Sequence, residues 1–127
     1  MVRLHAEALG VTRSTARRHL IDRVALEDAL DNPFFYAEHS EIDDAILLTA
    51  ILAAALQRAQ VWSDGNKRTT SLLVQRLVDP AGTRLGRGGY LLVGGEDVMD
   101  GLATGTHDAP DLAQMLRTVL RQGTTAA

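Results

Sequence analysis

Gln60-Val-Trp-Ser-Asp-Gly-Asn-Lys-Arg-Thr69 stands between two apolar helical segments, and the rest of the chain is read outward from it. Asp64 to Arg68 place an acid, a glycine, an amide and two cations in consecutive positions. Ordinary solvated charge is seldom concentrated in this way just before a helix. A loop that opens a helix near Lys67 gathers unpaired backbone N–H groups and the positive end of the helix dipole at one spot, which favours an anion. Gly65 lets the backbone approach a phosphate closely. Arg68 can grip phosphate oxygens in two-pronged fashion, with Lys67 as a point charge beside it. Asp64 is an oxygen ligand suited to Mg²⁺ carried in by a nucleotide. Asn66 can cap the helix or hydrogen-bond a phosphate. These are parts of phosphoryl transfer: a cradle, a metal carboxylate and charge stabilisation. The part that is missing is a base to take the proton from an attacking hydroxyl. Spacing alone makes the pattern only partly specific, because Asp-Gly-Asn is a common turn.

Composition narrows the frame. At 127 residues the chain is read as one domain, 1–127, long enough to bury a core without staples. Apolar residues reach 46 % but aromatics only 4 %, an Ala- and Leu-rich balance that suits helices better than a sandwich or barrel. The net charge of −3 argues against a chain-wide nucleic-acid surface. The absence of cysteine excludes a disulfide scaffold and a thiolate zinc site, and it fits a cytoplasmic protein. The N-terminus has no apolar signal region. The longest apolar run, Ala45 to Leu56, is about 12 residues, too short for a bilayer.

In chain order, residues 3–9 suggest a short helix broken at Gly10-Val-Thr12. Thr12 or Ser14 caps a second helix through Arg23 and on toward Leu30, with Leu20, Ile21, Val24 and Ala25 as its stripe. Asp31-Asn-Pro33 is expected to stop it. Phe34-Phe-Tyr36, three of the five aromatics, then read as a loop that either plugs the core or forms a substrate-facing flap. Ser40-Glu-Ile-Asp43 is a capping-box pattern ahead of a helix from Glu41 to about Ala59. That helix is apolar nearly all round, as expected of a buried central helix. Asn66 to Val78 reads as the next helix, with Leu72, Leu73, Leu77 and Val78 inward. Residues 82–95 hold six of the eleven glycines, and a short β-hairpin near 88–94 is possible. Glu96 starts a helix ending near Gly105. Asp108 and Pro110 open the last helix, whose Leu112, Met115, Leu116, Val119 and Leu120 recur at helical spacing until Gly123 closes it. The expected architecture is an all-α bundle around the central helix.

The central stretch resembles the signature of the Fic/Doc (Fido) family: His-x-Phe-x-Asp/Glu-Gly-Asn-Gly-Arg in Fic proteins, and Asp-Gly/Ala-Asn-Lys-Arg-Thr in the Doc toxin branch. Lys67, Thr69 and Ser71 (in place of a second Arg) bring the chain nearer the Doc branch. The likeness is strong at 60–69. It extends more weakly over about 20–121, through Leu26-Glu-Asp-Ala-Leu30 with the aromatics after it and through Ala103-Thr-Gly105. The resemblance implies an all-α core that transfers a phosphate or nucleotide from ATP, with Mg²⁺, to a Ser or Thr hydroxyl of a target protein. In Doc-type members that target is elongation factor Tu, and an antitoxin with a tail that folds on binding neutralises them. It further implies that Trp62 anchors the loop, Asp64 binds the metal, Gly65, Asn66 and Lys67 cradle phosphate, and Arg68 grips it. Gln60 stands where the family has its catalytic His. An amide cannot take up and release a proton near neutral pH as imidazole does, although it can orient a hydroxyl. Three explanations stay open: a non-catalytic member, a variant with another base, or a chain altered to be non-toxic.

Two other readings stand beside this one. A degenerate domain of this type could keep only a nucleotide pocket or partner groove. Residues 6–20 also resemble a helix-turn-helix core, with Arg13, Arg17, Arg18 and Arg23 as a basic stripe. With so little chain before the turn, a solvated Arg face is the simpler explanation, so DNA is not the expected partner. Among the four histidines, His5 and His19 are expected on helices and His39 and His107 in loops. His39 is the candidate for a replacement base because it follows the aromatics.

Overall fold

The computed structural model describes residues 1–39, 44–81 and 96–125. These form seven helices: α1 (Val2–Leu9), α2 (Arg13–His19), α3 (Arg23–His39), α4 (Ala45–Ala59), α5 (Asn66–Val78), α6 (Glu96–Thr104) and α7 (Ala109–Thr125). The all-α class expected from composition holds. Residues 88–94, the place of the expected hairpin, and the Ser40–Asp43 capping box lie outside the described residues.

α4 is the hub. It packs against α3, α5, α6 and α7, while α1 lies against α2 and α5. Asp44, rather than Ser40, caps α4: its Oδ1 accepts from Ile46 N and Leu47 N at 3.0 and 3.2 Å. These bonds and the pairing with Arg117 of α7 hold the Asp44 carboxyl below its usual range, the Leu47 N–H contributing most. The buried face of α4 is mostly small: Ala50, Ala53 and Ala54 are buried with Leu56 and Gln57. Short side chains let neighbouring helices approach closely. Met99 and Leu102 of α6 and Leu112, Leu116 and Leu120 of α7 fill the space against it. The stripe expected for α7 is therefore the buried one, with Met115 and Val119 at its edge. Gly123 does not end α7, which runs to Thr125. A helical glycine is unfavourable by only about 1 kcal/mol, too little to stop a helix so well seated.

Four local expectations are corrected. The second helix does not run on toward Leu30: it stops at His19, and Leu20 is extended (φ −74°, ψ 113°). Leu20 forms an isolated antiparallel bridge with Trp62, and Asp22 restarts the chain as α3 by accepting from Ala25 N. Ile21 and Val24 are consequently 65 % and 67 % exposed rather than part of a core stripe. Pro33 does not stop α3, which carries it inside a 17-residue helix. Proline removes one helical hydrogen bond there, and packing along α4 outweighs that local loss. Phe34, Phe35 and Tyr36 thus lie on a helix, not in a loop, and at 69 %, 56 % and 38 % exposed they do not plug the core. In α5 it is Val74 that is buried, whereas Leu77 is half exposed.

Truncating Leu116 to Ala should lower the unfolding free energy by about 2–5 kcal/mol in a denaturant titration, the usual range for a buried leucine. Truncating Phe34 should change it by no more than about 0.5 kcal/mol.

Candidate functional site

The loop from Gln60 to Gly65 joins α4 to α5, and its shape is fixed by a buried ring. Trp62 is buried among Leu26, Ala29, Leu56 and Val61. Its backbone N–H donates to Asn66 Oδ1 at 3.0 Å, and its carbonyl accepts from Asn66 Nδ2 at 2.7 Å. The Asn66 amide thus closes the loop on itself and neither caps α5 nor points to a ligand. The N-cap position is Gly65, in the left-handed region (φ 78°), with no side-chain cap. A Cβ there would come within 2.4 Å of Leu9 Cδ1. Glycine avoids both the strain of that backbone angle and a clash that the Leu9 side chain would otherwise have to relieve by shifting.

The N-terminal helices clamp the loop from the other side. Ile21 N donates to Val61 O at 2.9 Å and Ser63 N to His19 O at 2.7 Å. His5 of α1 is fully buried. Its ring stacks on Trp62 with centroids 3.9 Å apart and planes 9° from parallel. Nδ1 of His5 lies 2.6 Å from Thr69 Oγ1, and Nε2 lies 2.9 Å from His19 Nδ1. Burial holds the His5 imidazole below its ordinary pKa, nearby His19 pushes the same way, and Asp64 opposes both. The sequence places His5 and Leu9 on one helical face. Nothing in a single chain reveals a contact 64 positions away with Thr69.

The sequence-predicted site residues divide into two groups. Asn66 is consumed by the loop. Lys67 is bound to two acids of α6, with Nζ 2.8 Å from Glu96 Oε1 and 3.1 Å from Asp100 Oδ1, and these hydrogen bonds raise its pKa, Glu96 first. Gln60 ends α4 in the left-handed region (φ 47°) and donates through Nε2 to Gln57 O at 2.5 Å. By contrast Asp64 and Arg68 are exposed and make no hydrogen bond or ion pair among the described residues. Thr69 N–H, donating to Gly65 O at 3.0 Å, begins the helical ladder. The N–H groups of Gly65, Asn66, Lys67 and Arg68 precede it and have no helical acceptor. One turn therefore offers free backbone donors, a free carboxylate and a free guanidinium.

The other histidines stand apart from this turn. His39 is the last residue of α3, and its ring packs on Phe35 at 4.6 Å. His107 pairs with Asp111 at 3.3 Å. Among the described residues no group of three or more His, Cys, Asp or Glu side chains converges as a metal cage. A Mg²⁺ carried by a nucleotide needs no such cage: one or two carboxylates and the phosphates hold it. The segment with helix-turn-helix likeness folds as α1 and α2 around Gly10 (φ 68°), with Arg13, Arg17 and Arg18 exposed. Among the described residues no helix is long and apolar enough to cross a membrane. Compared with known proteins, the chain matches no family model, no curated protein and no solved structure.

Gly65→Ala should destabilise the fold by about 1–2 kcal/mol from the left-handed backbone alone, with the Leu9 contact adding to it. Thermal unfolding against Gly10→Ala, whose added Cβ meets nothing within 4 Å, separates the two effects. His5 supplies a pH signature. It prefers to be neutral when folded, so its contribution is complete above its unfolded pKa of about 6.5. That contribution is lost as pH falls through the lower folded value. The unfolding free energy should therefore decline from about pH 7.5 to 5.5, and less steeply in His5→Gln.

Proposed function

We propose that the turn from Asp64 to Arg68 is a binding site for the phosphates of ATP and their Mg²⁺, on a Fic/Doc-like domain nearer the Doc branch. The observation that carries this reading is the uncapped start of α5 with Asp64 and Arg68 both exposed and, among the described residues, unpaired in the same turn. Those groups match the chemistry of the ligand. The N–H groups of residues 65–68 would hold phosphate oxygens, Asp64 would hold the metal, and Arg68 would grip a phosphate in two-pronged fashion. Lys67 enters as half of an ion cluster with Glu96 and Asp100, so it sets the local field and the position of α6 rather than reaching freely for a ligand. Bound ATP supplies the phosphoryl or nucleotidyl group that a target hydroxyl accepts.

On this reading the target is a Ser or Thr of a protein of the elongation factor Tu type, and an antitoxin is a further partner. The step these residues do not provide is proton removal. Gln60 occupies the position of the family's His and donates its amide to Gln57 O, so it can orient but not deprotonate. His5 does not take over: it is fully buried and both ring nitrogens are engaged within the protein. The chain is thus a nucleotide-binding member with weak or absent turnover.

Isothermal titration with ATP and Mg²⁺ should give binding that Asp64→Ala and Arg68→Ala each weaken about tenfold or more, the effect of losing a charge-assisted contact. ATP labelled in the γ or α phosphate, incubated with an elongation factor substrate, should show little transfer. Gln60→His should raise transfer by about 10²–10⁴, the usual value of a general base. Histidine is among the residues that tolerate a left-handed backbone, so this variant tests chemistry rather than folding. Wild-type affinity unchanged by both alanine variants would sink the site.

A further inference from the structure

The pair His5–His19 has a property that neither the loop motif nor the site reading uses. The 2.9 Å contact joins His5 Nε2 to His19 Nδ1, two atoms each able to donate or accept according to protonation. With both rings neutral, one hydrogen lies between them. Either His5 donates through Nε2 and accepts from the Thr69 hydroxyl at Nδ1, or His5 donates through Nδ1 to Thr69 and accepts from His19. An imidazolium at the half-buried His19 still donates through Nδ1, so the second arrangement survives one added proton. A second proton puts N–H on both facing nitrogens. The hydrogen bond is then lost and two cations meet at its distance.

We propose that His5 and His19 form a proton-sensitive clasp that holds the 60–69 loop in place, shut while the pair carries at most one added proton and released when both rings are charged. Release reaches the loop directly. His5 stacks on Trp62 and contacts Thr69, the first residue of α5 whose N–H enters the helical ladder. The residue carrying the other ring, His19, accepts from Ser63 N through its carbonyl. The groups facing His5 from each packed element are few. α2 contributes His19, and the loop contributes Asp64, whose charge favours the imidazolium. α5 contributes the neutral Thr69, its Arg76 being paired with Glu7 of α1. Burial and His19 both disfavour a charged His5, so the second proton enters only under acidic conditions, below the ordinary histidine range. Resting on the phosphate-site reading, the clasp makes the order of the Asp64–Arg68 turn, and so its ligand affinity, depend on pH.

The test compares the full chain with His19→Gln. A glutamine amide can donate to neutral His5 or accept from the charged ring, so it removes the repulsion while keeping a partner. Amide hydrogen exchange is followed in ATP-free protein at about pH 7.5 and about pH 5.5. Comparison at equal pH cancels the intrinsic exchange rate. At the lower pH, peptides covering 60–69 should exchange about tenfold faster in the wild type than in His19→Gln, the effect of roughly one pKa unit of linkage. At the higher pH the two should agree. Trp62 is the sole tryptophan, and an imidazolium quenches indole fluorescence more than neutral imidazole does. Wild-type emission should therefore fall over the same interval. Equal exchange in both proteins at low pH, or Trp62 emission that does not change with pH, overturns the clasp. ATP and Mg²⁺ binding at the higher pH is measured alongside. Its absence would defeat the phosphate-site reading, while the exchange comparison, made without nucleotide, still decides the clasp.

Discussion

The buried indole of Trp62 is the constraint on which the rest of the structure turns. A tryptophan in a loop must hide a large apolar surface and still satisfy its backbone. Here the ring is buried beside Leu26 of α3 and Leu56 of α4, with His5 of α1 stacked on it. The backbone is satisfied by Asn66 on the chain's own return into α5. One residue thereby ties α1, α3, α4 and α5 to a single point. The contacts around it, from Ile21 N to Val61 O and from Ser63 N to His19 O, are consequences of seating the ring there. They also explain why the helix after Thr12 ends at His19: the next residues are needed as an extended partner for the loop.

That arrangement sorts the loop's residues by role. Those turned inward, Trp62 and Asn66, build the turn, and Gly65 allows it to pass close to Leu9. Those turned outward, Asp64 and Arg68, are exposed and have no hydrogen-bond or ion-pair partner among the described residues. Lys67 lies between, neutralised by Glu96 and Asp100. Glu96 sits in the first turn of α6, where the helix dipole favours it, and Asp100 one turn on, so the ion cluster also sets where α6 begins relative to α5. A loop of purely solvated charges would show no such division. On the phosphate-site reading, the loop keeps its donors and its grip free while its frame is locked.

Where the sequence was legible, the signal was local. The Leu112–Leu120 stripe, the acidic first turn at Glu96, the left-handed stop at Gly105 and the apolar run of α4 each specify their helix through short-range periodicity or caps. The failures share one physical origin, tertiary contact overriding local preference. Pro33 argues for a stop, but packing along α4 carries α3 through it. Leu20 and Ile21 continue a helical pattern, but the bridge to Trp62 pulls them out of it. The sequence points to a cap for α4 four residues early, because Ser40-Glu-Ile-Asp43 matches a capping box while Asp44 makes the bonds. In the candidate site, the motif positions could be named from the sequence, but their availability could not. That Asn66 and Lys67 are already engaged, and that His5 lies beneath the loop, depends on contacts with residues far away in the chain.

The same long-range contacts bear on the base that the proposed phosphoryl transfer would require. A replacement for histidine at position 60 must reach the mouth of the turn with a lone pair to spare. His5 is close to the loop, yet it sits behind Trp62 with Thr69 and His19 on its two nitrogens. Freeing one of them would dismantle the packing that shapes the turn. Gln60 itself is fixed by the end of α4, its left-handed backbone and its bond to Gln57 O making it a helix terminus first. The framework around the turn therefore separates two requirements that catalysis normally joins. On the proposed reading, binding would rest on the donors at the start of α5 and on Asp64 and Arg68, none of which depends on position 60. Proton transfer would be the one step of that reading assigned to position 60, so a change there would alter turnover while the loop, its clamp and its ligand groups remain as they are.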